Sequence, residues 1–448
     1  MYFLNTKNGQ LKTSTKGPLP ELDALLPFPS CLPPAYQGAI ARHADMGDVR
    51  LSRLAYHLSP ASHDLWNFLM TEEERLHDAR AAHQTIVGAM KDLGTIPILV
   101  DAFADAVAFY PDGAWWLPCF KEQQTCLLEA TDALGIGEGF CPVRAMLGAF
   151  ELKCHFPIPD LLVCSTGAIC DDFKAIVQRL VERGHHIHFW QMPHVRDAEN
   201  DEPALPLPNG RRVPAALRDI VEHGLRGVLQ TLSTHLGETM TDDKLRDAIR
   251  RSNRVRTALS RIRNGNLPSL ERLICEMLAI HYCSDYALCE KVLARLADES
   301  DALVPDETRK PVYWINPVAD LRVMNILEDA GGRLCGTDFM FAHALALLDE
   351  TVPPLQCLAE MALQDPMAAP TSARMQMCVQ DAERLHANGI IVSRIPGASH
   401  CAFELLALAH MTSLPVLEIE VAPVTDPYAP SLLTRLQAFV ENLRPASQ

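Results

Sequence analysis

Apolar positions along this chain follow two rhythms, short continuous runs of three to five and longer stretches spaced three and four apart. From Ser52 to about Leu93 the spacing is helical, with His and Glu positions facing outward, after an extended, proline-rich lead-in from Gly17 to Pro34. Ile96-Pro97-Ile98-Leu99-Val100 then reads as a short buried strand. Leu161-Leu162-Val163-Cys164 forms the clearest strand, broken by Ser165, Thr166 and Gly167. Phe173, Ile176, Val177, Leu180 and Val181 follow at helical spacing, with Gly184 placed to close the helix. A second strand over His186 to Met192 completes a β–α–β unit with Cys170 at its strand-to-helix turn.

The acidic, proline-containing stretch His194 to Arg212 reads as a surface connection, and a helical block follows. Thr241, Asp242 and Asp243 give that block a helix start, a hydroxyl cap and two acids at the positive end of the dipole. The last third repeats the strand–helix theme. Strands are predicted over Val312 to Ile315, Ile390 to Val392 and Val416 to Val421, with helices holding Leu321 to Leu327, Met375 to Leu385 and Leu432 to Leu443. Alternation of this kind predicts an α/β fold of parallel sheets covered on both faces. The domains expected are a mainly helical part over residues 1–94, a first α/β domain over 95–210, a helical segment over 211–308 and a second α/β domain over 309–448.

A length of 448 residues fits more than one core. A net charge of −16 argues against a nucleic-acid binder or an acidic-membrane binder, which needs a basic footprint. The densest basic stretch, Arg246, Arg250, Arg251, Arg254, Arg256, Arg261 and Arg263, reads as a solvated helix face before a phosphate site. No run of about 20 apolar residues is present to span a bilayer, and the polar start lacks the apolar core of a signal peptide, so a cytoplasmic location is expected. In that compartment the 14 cysteines are expected as buried thiols or as metal and redox ligands.

Ligands of parallel sheets gather beyond the carboxyl ends of strands. The reactive side chains there are Cys170 after the first unit and His400 and Cys401 after Ile390 to Ser393, while Cys141 and Cys154 lie close before it. Three thiolates on an iron–sulfur cluster would leave one iron open to a substrate oxygen. Spacing alone does not select this over burial, since Cys141, Cys154 and Cys170 match no compact ferredoxin pattern. Gly135, Gly137 and Gly139 read as a flexible approach to Cys141 before a phosphate loop, and His185, His186 and His188 lack a partner pattern for zinc.

Four ordered stretches resemble the 2-hydroxyacyl-CoA dehydratase and benzoyl-CoA reductase superfamily, of the dehydratase D-component type. They are Gly139-Phe140-Cys141-Pro142, Thr166-Gly167-Ala168-Ile169-Cys170-Asp171-Asp172, Leu245-Arg246-Asp247-Ala248-Ile249 with Asn253 and Arg256, and Thr434 to Glu441. The resemblance implies two flavodoxin-like, Rossmann-like domains plus a helical part, and a 4Fe–4S cluster held by Cys141, Cys170 and Cys401. It also implies a dimer with an identical or homologous subunit, an acyl-CoA substrate, and an ATP-hydrolysing iron–sulfur activator that delivers one electron for ketyl-radical dehydration or aromatic ring reduction. The third segment departs from the family pattern, with Ser399, His400 and Cys401 before Glu404, so either Cys401 or Ser399 takes the ligand position. That departure also admits a noncatalytic electron-transfer or scaffold subunit. A sister branch carries an 8Fe–9S double cubane on six cysteines; Cys154 resembles one of them, but Asn316-Pro317 and Asp338-Phe339 stand where two others belong, leaving Cys335 or Cys378 to substitute. No catalytic residue is fixed by the sequence; Asp171, Ser399 and His400 are the candidates, and Asp171 reads equally as a group that polarises the turn or as a cap on the helix that follows.

Overall fold

The computed structural model describes residues 30–45, 54–57, 59–90, 92–115, 124–168, 170–281, 283–316, 321–338, 342–395, 408–420 and 430–443. Two four-stranded parallel sheets organise them. The first comprises β1 (Thr85–Met90), β2 (Ala106–Phe109), β3 (Leu161–Gly167) and β4 (Ile187–Met192), in the order β2-β1-β3-β4. A small antiparallel hairpin, β5 (Ala204–Pro206) and β6 (Arg212–Pro214), lies in the connection expected to be irregular. The second sheet comprises β7 (Lys310–Ile315), β8 (Gly332–Asp338), β9 (Gly389–Arg394) and β10 (Val416–Glu420), in the order β10-β9-β7-β8. Both sheets therefore share one topology: the first strand has the second on one side and the third and fourth on the other. The expected pair of doubly wound domains is present.

One expectation is overturned. The run Ile96 to Val100 is not a strand; it lies in the helix α1 (Thr95–Asp101), and the first strand is β1, upstream of residue 95 within the stretch expected to be helical. Five apolar residues suit a buried helix as well as a buried strand. Here the local chemistry decides: the Asp92 carboxylate accepts the Ile96 N–H at 3.0 Å and the Thr95 hydroxyl at 2.6 Å, satisfying donors at a helix start. Strand β8 was also not anticipated, because Gly332-Arg333-Leu334-Cys335-Gly336-Thr337-Asp338 shows neither alternation nor an apolar run.

Three further helices matter for the site: α2 (Ala145–Leu152), α3 (Asp171–Glu182), which follows β3, and α4 (Ala215–Leu236), which packs on β4. The helical block continues with α5 (Asp242–Asn264), whose Thr241 cap accepts from the Lys244 N–H as expected, then α6 (Ser269–His281) and α7 (Tyr286–Ala302). Between β8 and β9 come α8 (Pro354–Gln364) and α9 (Thr371–Arg384). Helix α8 packs on both α1 and α4, and the Val195 N–H, three residues past β4, donates to Ala368 O at 3.0 Å just before α9. The carboxyl side of the first sheet thus meets the excursion that leaves the carboxyl side of the second.

Candidate functional site

Strand β3 is buried from Leu161 to Ser165 and ends at Gly167, whose φ is +95°. A Cβ there would sit 2.2 Å from Met192 O, so only glycine lets the end of β3 lie this close to β4. The chain then reaches Cys170, extended at φ −109° and ψ 125°, which is the residue before the first turn of α3. Its side chain is buried and stands where the positive end of a helix favours negative charge.

Cys141 arrives from the other direction. It precedes the turn Pro142–Arg144, with proline at the first position, and α2 follows directly. Asp172, two residues past Cys170, accepts the Cys141 backbone N–H through Oδ2 at 2.8 Å, and the Pro142–Arg144 turn packs against α3. One carboxylate therefore ties together the two cysteine segments that lie 29 residues apart in the chain. The Cys141 segment is anchored from behind as well: the buried Arg144 guanidinium meets Asp132 at 3.4 Å, and Thr131 donates to Arg144 O at 3.0 Å. Gly148 on α2 completes the seat, since a Cβ there would meet Leu127 O at 2.0 Å.

A second carboxyl stands in the wall of this site. Asp112 lies on the turn Pro111–Trp115 just beyond β2, and that turn packs on both Pro142–Arg144 and α2. Asp112 is buried, and its Oδ1 makes no hydrogen bond. Burial, with a smaller contribution from Asp92, pushes its carboxyl up to about 7, against a hydrogen bond to its own backbone that acts the other way. Neither Asp112 nor Asp172 stood out in the sequence, because a single Asp after a strand carries no pattern.

The remaining candidates are placed as follows. Asp171 is exposed and pairs with Lys174 at 2.6 Å; its neighbour Asp172 is the one that reaches the cysteine turn. Cys154 follows α2 and so lies at the opposite end of that helix from Cys141, about 12 Å of helix rise away. Ser399, His400 and Cys401 fall outside the described residues. Cys335 lies within β8 and Cys378 within α9, both in the apolar cluster with Tyr313 and Ile390. Burial pushes the Cys335 thiol up to about 11 and raises that of Cys378, as it does for Cys275, Cys283, Cys289 and Cys357. Burial favours the neutral form of these thiols. His188 hydrogen-bonds Thr231 at 2.9 Å, and among the described residues no group of three His, Cys, Asp or Glu is arranged to hold a metal ion. The basic stretch on α5 is engaged in pairs, Arg251 with Asp101, Arg254 with Glu290 and Arg261 with Asp298 and Asp301.

The facing edge of the second domain carries Asn316 after β7, Asp338 at the end of β8 and Ser393 in β9. Asp338 and Arg374 form a buried ion pair at 2.6 Å. Beside them a cleft of about 600 Å³ is lined by Thr337, Asp338, Met361, Met377, Arg384 and Pro208; neither Cys141 nor Cys170 lines it.

Two doubly wound domains of equal strand order, packed through the carboxyl side of the first, with two cysteine-bearing turns joined at that edge, define a class of two-domain α/β proteins. Within that class, the sequence model of the 2-hydroxyglutaryl-CoA dehydratase D-component family matches residues 102–443, about three quarters of the chain, and the protein belongs to that family. No curated protein matches the chain significantly. Among the described residues no helix is long and apolar enough to cross a membrane.

Proposed function

We propose that this chain is the cluster-bearing subunit of an enzyme of the 2-hydroxyacyl-CoA dehydratase type, with Cys141, Cys170 and Cys401 as ligands of a single 4Fe–4S cluster. The observation that carries this reading is the Asp172 clasp, which spends a carboxylate on holding the Cys141 segment beside the start of α3. Two thiols that served only as small core residues would not need it. Their donor chemistry fits an iron–sulfur cluster, since soft thiolates are its natural ligands and both cysteines open helical turns. When bound, the cluster would supply low-potential single electrons to a thioester, received from an ATP-dependent activator.

The chain's own residues would do the rest. The buried walls around Cys141 and Cys170 would exclude water, and Asp112, whose carboxyl burial pushes up to about 7, would be able to give or take a proton near neutral pH. A dimer with an identical or homologous subunit and a cytoplasmic location belong to the same proposal. The double cubane is disfavoured because Asn316-Pro317 and Asp338-Phe339 stand where two of its cysteines would belong. One sequence feature favours a second reading, a noncatalytic electron-transfer subunit: the altered segment Ser399-His400-Cys401.

The test is anaerobic conversion of a 2-hydroxyacyl-CoA to its enoyl-CoA, with ATP, activator and partner subunit present. Turnover that falls at least a hundredfold in Cys170→Ser supports the catalytic reading. Turnover unaffected by Cys170→Ser would assign the chemistry to the partner and leave this chain the second role.

A further inference from the structure

The second domain reverses its winding at β7: β8 lies on one side, β9 and β10 on the other. Open α/β sheets take their ligands in the crevice beyond the strand ends at such a reversal. Asn316 is the first residue past β7, at that point. Its backbone N–H donates to Asp338 O at 2.8 Å and its Nδ2 to Ser393 O at 2.9 Å, so it bridges the ends of all three strands. The second contact also fixes the amide, because the flipped form would set Oδ1 against another acceptor.

With the amide so held, Asn316 Oδ1 is left without a hydrogen-bond partner, although the residue is fully buried. Folded proteins seldom leave a buried acceptor unmet, and each instance calls for an explanation. The backbone adds to the anomaly: φ is +57°, the left-handed region, which glycine would occupy at no cost. A glycine here would remove both disadvantages, at the cost of the Nδ2 bond to Ser393 O. The charge nearby says what kind of group would complete the site. Asp338 and Arg374 neutralise each other, so the wall beside Asn316 offers no net charge from that pair to an ion. An uncharged O–H or N–H would meet Oδ1 without adding net charge beside that pair.

We propose that Asn316 Oδ1 accepts a hydrogen bond from an uncharged donor of the acyl-CoA substrate, either the 2-hydroxyl or an amide N–H of the pantetheine arm. This assignment rests on the dehydratase reading above. It makes Asn316 a specificity residue at the carboxyl edge of the second sheet.

The experiment is calorimetric titration of the full chain, wild type and Asn316→Gly, with 2-hydroxyglutaryl-CoA, glutaryl-CoA and CoA, together with the thermal midpoint of each protein. The expected result is a protein that still folds cooperatively, its midpoint lowered by the lost Ser393 bond and partly restored by relief of the left-handed φ, with affinity lost. If the hydroxyl is the donor, wild type prefers 2-hydroxyglutaryl-CoA over glutaryl-CoA by about tenfold or more, and Asn316→Gly erases the preference. If the amide is the donor, all three compounds weaken by about the same factor in the variant. Binding of all three at wild-type strength by Asn316→Gly overturns the assignment and makes a buried water the partner. If none of the three binds to wild type, the dehydratase reading itself fails and this assignment with it.

Discussion

At the scale of single residues, the site is distinguished by carboxyl groups held in unfavourable surroundings. Asp112 is buried, and its carboxyl is pushed up to about 7, while in the unfolded chain it ionises near its ordinary 3.8. The sign of the linkage follows. Below about pH 4 both states are protonated and nothing is lost; between about 4 and 7 the unfolded chain releases the proton first, so stability falls as pH rises. The penalty saturates above about pH 7 at a size of order 4 kcal/mol. Asp112→Asn removes this dependence. Its unfolding free energy, measured in urea from pH 4 to 8, is expected to converge on wild type at the acid end and to exceed it at the alkaline end. Glu271, also buried and pushed up to about 7, keeps its share in both proteins, so the difference isolates Asp112. Parallel curves would mean that Asp112 ionises in the fold as it does in water.

At the scale of elements, what matters is how two turns are brought together and held. The β3–α3 unit was legible in the sequence because it carries every local signal: an apolar run, a break, a helical face and a closing glycine at Gly184. That Cys141 belongs beside it followed only from family resemblance. The contact is made by Asp172 to a backbone N–H, and no residue pattern announces a bond between a side chain and a distant main chain. The exchange of β1 and α1 has a similar origin. Both are short and apolar, and the Asp92 cap that decides between them is a single residue. Asp172→Ala removes the clasp and is expected to cost about 2 kcal/mol in unfolding free energy, since hydrogen bonds to charged groups contribute about 1.5–3 kcal/mol. It should also cut metal retention during anaerobic purification to less than half of wild type. Retention at the wild-type level would show that the Cys141 segment holds its place without the carboxylate.

At the scale of the whole molecule, one topology used twice explains why the site is split. The order of strands is the same in both sheets, so the segments after β3 and β9 occupy equivalent positions, the first carrying Cys170 and the second leading toward Cys401. The alternation of strands and helices foretold two such domains. Their packing was not foretold, because it depends on the excursion between β8 and β9, where α8 meets α1 and α4 and Ala368 O accepts from Val195. The helical block joins the two halves through α5, whose Arg251 pairs with Asp101 of the first and Arg263 with Asp381 of the second.

The central claim is that Cys141 and Cys170 hold a cluster, and the most direct measurement is iron and acid-labile sulfide on protein purified without oxygen. Cys141→Ser and Cys170→Ser are compared with wild type and with Cys275→Ser, whose buried thiol serves as the control. The account predicts about four irons per chain in wild type and in the control, and near none in the two variants. Equal iron in all four proteins, or none in wild type after reconstitution, would contradict it.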